Sequence, residues 1–201
     1  NSPGAVFAPT PTVVDPLARP LPEVPSGGTP VSASGDYFHP TGVFSLPKLV
    51  NWDLPQTTPE ETTDNAGVQR VGATFNNGGA ASVIHAFAEA SAEVQPLTFE
   101  TLNAYYDQAN LASAWAKYST WKERGRRELN GAFVVDFELT VEDQGYFGRQ
   151  ISRLEPVNGQ TWLMVLRLVA PNNNADLLER LTAVLTEGFR MWPQALSVPL
   201  G

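Results

Sequence analysis

The segment FVVDFELTVE, residues 133–142, decides the fold class because apolar and polar residues alternate along it. Its odd-numbered positions are all apolar, and between them lie Asp136, Glu138, Thr140 and Glu142. Successive side chains of a strand point to opposite faces, so this pattern predicts one buried face and one solvated face. Such strands are typical of antiparallel sheets that are packed on one side. Residues 133–142 therefore predict a long antiparallel strand.

More strands and two helices are predicted around this segment. Shorter strands are expected at 37–39, 43–46, 68–75, 81–88, 146–154 and 161–169. Apolar and aromatic residues recur at helical spacing over 98–120, and a second helix begins at the cap residue Asn174 and closes at Trp192. The order ββ-ββ-α-βββ-α predicts the α+β class, in which helices flank a mainly antiparallel sheet as an α/β/α sandwich.

The chain divides into three parts by composition. Eight of its seventeen prolines lie within the first thirty residues. Proline lacks the backbone donor that helices and sheets need, so residues 1–34 are expected to form a disordered tether. A globular domain is predicted at 35–193, followed by a C-terminal tail at 194–201. An N-terminal tether indicates an anchor, so we expect an extracytoplasmic domain held at a membrane. The alternative is an interdomain linker or a disordered tail.

Composition and motifs argue against several classes of function. The net charge of −8 disfavours a nucleic-acid-binding protein, and the absence of cysteine removes thiol chemistry. The only histidines are His39 and His85, and the chain carries no HExxH, GxSxG or P-loop motif. We therefore expect no metal, no cofactor and no enzyme. A hydrolase with an unrecognised site stays open, because paired carboxylates can come from distant segments.

A basic patch is predicted in WKERGRREL, residues 121–129. It consists of Lys122, Arg124, Arg126 and Arg127, which are four of the thirteen basic residues in an acidic chain. Such a patch suits an acidic protein partner or anionic headgroups at a membrane surface. The alternative is a solvated helix end, where positive charge favours the helix dipole.

An aromatic groove is the second predicted binding feature. It would be formed by Tyr105, Tyr106, Trp115 and Trp121, which are placed on the helix predicted at 98–120 or at its end. Adjacent Tyr105 and Tyr106 cannot both face the sheet, so one of them is expected to border a groove for a protein or a small apolar ligand. Filling of the core is the alternative role for these side chains.

The segment HPTGVFSLPKLVNW, residues 39–52, resembles the opening of the PsbP-like family. That family shares its fold with the Mog proteins and with mycobacterial LpqN-type lipoproteins. The resemblance, which would cover about 36–192, implies an accessory or binding role without catalysis. We therefore expect a non-enzymatic, lipoprotein-type domain that acts through contacts with an unidentified protein partner. A carrier of a small apolar ligand between sheet and helix is the alternative.

Overall fold

A computed structural model describes residues 31–55, 60–63, 69–80, 82–90, 99–106, 111–112, 115, 120–157 and 160–192. The predicted tether lies outside these residues up to position 30, and the whole predicted tail lies outside them. The strands are β1 (Ala33–Phe38), β2 (Phe44–Leu49), β3 (Glu60–Thr63), β4 (Gln69–Asn77), β5 (Ser82–Ala90), β6 (Thr120–Leu129), β7 (Ala132–Val141), β8 (Gln144–Val157), β9 (Gln160–Pro171) and β10 (Arg190–Met191). The α-helices with described bounds are α1 (Phe99–Tyr105) and α2 (Asp176–Gly188), and residues 111–112 are also helical.

The strands form two sheets. Seven of them make the larger sheet in the order β3-β4-β5-β9-β8-β7-β6, and neighbouring strands are antiparallel throughout. The smaller sheet has the order β1-β2-β10 and is also antiparallel. Consecutive strands β6 to β9 pair as a meander, so most of the larger sheet is built from local hairpins.

The two faces of the larger sheet are covered differently. One face packs against α2 and the smaller sheet together, and the largest apolar cluster, which includes Phe44, Leu46, Leu166, Leu178 and Leu181, lies between them. The opposite face is covered by α1 and by Leu111 and Trp115, over two smaller clusters. We call these the α2 face and the α1 face.

The predicted fold class, a sheet flanked by helices in an α/β/α sandwich, is wrong. The layer over the α2 face is shared by a helix and a second sheet, and α1 has only seven residues. Strand β6 begins where the helix predicted at 98–120 was expected to end. Strands β3 and β10 were not predicted.

The failure at β6 has a physical cause. This strand lies at the edge of the described sheet and carries charged residues on both faces, with a register shift between Glu123 and Gly125. Charges and bulges protect an edge strand from pairing with other chains, and they also erase the alternation by which a strand is recognised. Because the aromatic residues from Tyr105 to Trp121 recur at helical spacing, the predicted helix was extended as far as the start of β6.

A buried arginine joins β7, β8 and α2. Arg149 is fully buried, and its guanidinium donates to Asp136 Oδ1 at 2.7 Å, to Glu179 Oε1 at 2.8 Å and to Thr182 Oγ1 at 3.0 Å. Burial alone would lower the pKa of Arg149, but the hydrogen bonds to Glu179 and Asp136 outweigh it and the pKa is raised. Arg149 lies directly opposite Asp136 in the register of β7 and β8, so this ion pair crosses the sheet.

Candidate functional site

The four residues of the predicted basic patch all lie on β6 rather than at a helix end. Each of them contacts a carboxylate. Arg124 donates to Glu138 at 2.7 Å, and the Lys122 ammonium lies 3.9 Å from the same carboxylate. Arg126 donates to Glu123 at 2.9 Å, and Arg127 donates to Asp136.

These ion pairs change what the basic patch offers to a partner. The four cations contact three carboxylates, those of Glu123, Asp136 and Glu138, and Asp136 is shared with buried Arg149. Strands β6 and β7 therefore present a ladder of paired charges, which we call the β6 ladder. Arg126 is also held by the backbone and side-chain oxygens of Asn103, at 3.2 Å and 3.0 Å, which ties β6 to α1. The carboxylates of Glu123 and Asp136 are largely buried, so Arg126 and Arg127 are held by groups inside the fold rather than left as a free basic surface. Charged edge strands resist pairing with other chains, so the ladder is better suited to protecting the edge than to docking.

The residues of the predicted aromatic groove meet on the α1 face, but they do not share one environment. Tyr106 and Trp115 are buried, Trp121 is half-buried, and Tyr105 is 40% exposed. Trp115 and Trp121 both contact the ring of Phe137, with centroid distances of 4.7 Å and 5.9 Å. Tyr106 and Trp115 therefore fill the core, Trp121 packs at its margin, and Tyr105 is the most exposed of the four.

Tyr106 is fixed by stacking and by a hydrogen bond. Its ring stacks on Phe133 with centroids 6.0 Å apart, and Ser152 Oγ donates to its hydroxyl oxygen at 3.3 Å. Burial raises the pKa of Tyr106, because the phenolate would lose its hydration. Neighbouring Tyr105 points outward and donates to Glu89 Oε1 at 3.1 Å.

A buried polar pair crosses the same face beneath these rings. Arg167 Nε donates to the side-chain oxygen of Gln150 at 2.8 Å, and the Arg167 guanidinium lies over the rings of Phe87 and Trp115. This bond fixes the amide orientation, so the Gln150 NH₂ group points away from Arg167. That nitrogen is buried and has no acceptor among the residues that the structure describes. The indole nitrogen of Trp121 is likewise buried and has no acceptor among the described residues.

The two histidines pack against other elements of the fold. His39 is buried, and its Nε2 lies 3.0 Å from the Gly72 carbonyl oxygen while its Nδ1 lies 2.7 Å from the Thr41 hydroxyl. These bonds tie the β1–β2 hairpin to β4. His85 lies on the α1 face, with its ring centroid 5.2 Å from that of Phe87. Among the described residues no group of three or more metal-ligating side chains converges.

An exposed aromatic pair on the smaller sheet was not among the predicted site residues. Phe38 is 57% exposed and Trp192 is 36% exposed, and their ring centroids lie 5.8 Å apart. The Trp192 backbone donates to the Val43 carbonyl, and its indole nitrogen donates to Ser45 Oγ, both at 2.9 Å. We call these two residues the Phe38–Trp192 pair.

The pair follows from strand alternation at its first member. Tyr37 points inward and meets Phe75 edge to face at 5.0 Å, so Phe38 must point outward. That alternation was the only signal in the sequence. Trp192 was expected to close the last helix, and its contact with Phe38 requires β10 to pair with β2.

Comparisons with known proteins give a distant similarity to a solved structure. No protein-family model matches this chain, and no curated protein matches it. Among solved structures, the chain is similar to the crystal structure of LpqN, a protein involved in cell envelope biogenesis of Mycobacterium tuberculosis. The two share 12% sequence identity with a TM-score of 0.43, and the alignment covers 81% of this chain and 92% of that chain. A likeness this distant carries no inference about the activity of this chain.

The described helices are too short or too polar to cross a bilayer. Membrane anchoring through the N-terminal segment therefore stays a prediction from composition, and residues 1–30 lie outside the described part of the chain.

Proposed function

We propose that this chain is a non-enzymatic accessory domain that acts outside the cytoplasm by binding a protein partner, and that the Phe38–Trp192 pair is the centre of that contact. The single observation that carries the proposal is that two large aromatic side chains are packed against each other while both remain exposed. The proline-rich segment at 1–34 supports the extracytoplasmic, tethered part of the proposal.

The pair has the properties of an interface anchor. Aromatic residues dominate the binding energy of many interfaces, and rigid side chains lose little conformational entropy when a partner docks. The backbone N–H and the indole N–H of Trp192 are both hydrogen-bonded, so its ring is held in place before any partner arrives. A docking protein would gain the burial of two ring faces without having to order them.

Charged residues border the pair as an interface rim would. Asp36 lies two residues before Phe38 and is exposed. Arg190 is also exposed, and it lies opposite Ser45 in the register of β10 and β2. Interfaces commonly place apolar or aromatic side chains at the centre and polar ones around them. Strand β6 lacks such a centre, because its one aromatic side chain, Trp121, is half-buried against the α1 face.

Site-specific photo-crosslinking in the producing cell tests this proposal. A benzophenone amino acid replaces Phe38 in one variant and Val83, a similarly hydrophobic exposed residue on β5, in a matched control. We expect one discrete protein adduct from position 38, none from position 83, and loss of the adduct when Trp192→Ala is added. Equal adducts from both positions, or none from position 38, would refute the proposed contact.

A second candidate function is favoured by the buried amide of Gln150. A buried donor without an acceptor costs about 1–3 kcal/mol, and a bound molecule with a carbonyl oxygen would remove that cost. The chain would then carry a small, largely apolar ligand between α1 and the larger sheet. Native mass spectrometry of the protein as purified tests this: a bound mass that is lost in Gln150→Leu supports the carrier, and a ligand-free wild type argues against it.

A further inference from the structure

A cavity of about 420 Å³ opens on the α2 face at the end of strands β6, β7 and β8, beyond the start of α2. Its lining includes Thr120, Lys122, Glu138, Thr140, Gly145 and Asn172. We call it the Thr140 groove. Its volume falls within the range of small-molecule sites. Neither the Phe38–Trp192 pair nor the buried amide of Gln150 contributes to it.

The lining of the groove carries one cation, Lys122, and one carboxylate, Glu138, and a second cation, Arg124, reaches that carboxylate from outside the lining. Arg124 lies 2.7 Å from Glu138 and neutralises it, and the Arg124 guanidinium also covers the ring of Phe147 at 5.2 Å. Lys122 approaches the same carboxylate only to 3.9 Å, and its side chain is 59% exposed. The Lys122 ammonium is therefore the group that a ligand meets, and its own partner holds it weakly.

The neutral polar groups of the groove also offer donors. Thr120 Oγ1 donates to Thr140 Oγ1 at 2.8 Å, so the hydrogen of the Thr140 hydroxyl is directed elsewhere. The Asn172 amide lies over Gly145, because a Cβ at position 145 would come within 2.6 Å of Asn172 Nδ2. A side chain at 145 would displace that amide, whereas glycine leaves it in its place beside the groove.

These groups are chemically consistent with one class of ligand. An ammonium, a hydroxyl hydrogen and an amide NH₂ are all donors, whereas the carboxylate in the groove is already engaged by Arg124. We propose that the Thr140 groove binds a small organic anion through its carboxylate, with Lys122 as the charge partner and Asn172 as a positioning donor. This site goes beyond the proposed protein contact and stands or falls separately from it.

An isosteric series of probes tests the class of ligand. Benzoate, benzamide and benzamidinium share one shape and carry a negative, a zero and a positive charge. We expect benzoate alone to shift the backbone amide resonances of Thr140, Gly145 and Asn172 in a nitrogen–proton correlation spectrum at constant ionic strength. Benzamidinium or benzamide shifting the same resonances with equal affinity, or benzoate leaving them unmoved, would overturn the proposal.

Matched variants test the assigned roles of the side chains. Lys122→Met keeps the apolar stem and should weaken benzoate binding about fivefold, as expected for an exposed charge pair. Lys48→Met removes the same charge from an exposed position on the smaller sheet and should leave the affinity unchanged. Asn172→Ala, at an exposed position, should weaken binding without unfolding the chain. Equal weakening by Lys48→Met and Lys122→Met would show that net charge alone is responsible, and would refute the site.

Discussion

The aromatic residues beneath α1 and the Phe38–Trp192 pair have the same chemistry and opposite surroundings. Tyr106 and Trp115 are buried against Phe133 and Phe137, whereas the rings of the pair remain open to solvent. The first set stabilises the sheet, and the second contributes little to the core. The difference indicates that aromatic side chains belong to a binding surface only where the fold holds them rigid without covering them.

The comparison predicts its largest effect at Tyr106. Tyr106→Ala would leave a void above Phe133 and deprive Ser152 of its partner, and we expect a loss of about 3 kcal/mol in the free energy of unfolding. Urea denaturation measures it. A change below about 1 kcal/mol would mean that α1 is not part of the stable core.

A glycine under the buried aromatic residues gives the next largest effect. An ideal Cβ at Gly148 would lie 2.1 Å from the Phe137 ring, so Gly148→Ala must displace a ring that Trp115 and Trp121 contact. We expect a loss of about 1–3 kcal/mol, as for other overpacked cores. Gly78→Ala is the control, because nothing lies within 4 Å of its added Cβ. Equal effects of the two substitutions in thermal unfolding would contradict this packing.

The buried hydroxyl of Tyr106 predicts a dependence on alkaline pH. Because burial raises its pKa in the folded state above the ordinary value of 10.0, folding favours the protonated phenol. The resulting stability is fully present below pH 10 and is lost as the pH rises further. Tyr106→Phe should cost about 1 kcal/mol at neutral pH and should flatten the alkaline decline. An unchanged decline in chemical denaturation would assign it to other groups.

Phe38 should show the smallest effect on stability. Because its ring is more than half exposed, Phe38→Ser should change the free energy of unfolding by less than about 0.5 kcal/mol. The same substitution should abolish capture of the partner that crosslinking identifies. A loss of stability comparable to that of Tyr106→Ala would move Phe38 into the core set and remove the contrast between the two regions.

Local patterns predicted the centre of the larger sheet well. The alternation over 133–142 matches β7, and the strands predicted at 146–154 and 161–169 lie within β8 and β9. These strands are buried on at least one face, so the positions of their apolar residues determine which side chains face the core and thereby fix the register. The second helix, predicted from Asn174 to Trp192, lies at Asp176–Gly188, and its N-cap is Ala175, which has no side-chain capping bond.

The edges and the candidate site depended on contacts that a local pattern does not contain. The strand predicted at 43–46 stops before Pro47, but β2 continues through Pro47 to Leu49. Proline is tolerated there because β10 pairs only with Ser45 and Phe44, which leaves that side of β2 unpaired at Pro47. Strand β6 carries no apolar alternation because it is an edge. Phe38 and Trp192 meet only after β10 has paired with β2, so no motif joined them in the sequence.

Oxidative footprinting in the producing cell tests the central claim most directly, since hydroxyl radicals modify exposed aromatic side chains. In the purified protein, Phe38 and Trp192 should be oxidised and Trp115 protected. In the cell, a bound partner should protect Phe38 and Trp192 while leaving the oxidation of exposed Tyr105 unchanged. If Phe38 and Trp192 were oxidised in the cell as fully as in the purified protein, the pair would not be the contact through which this domain acts.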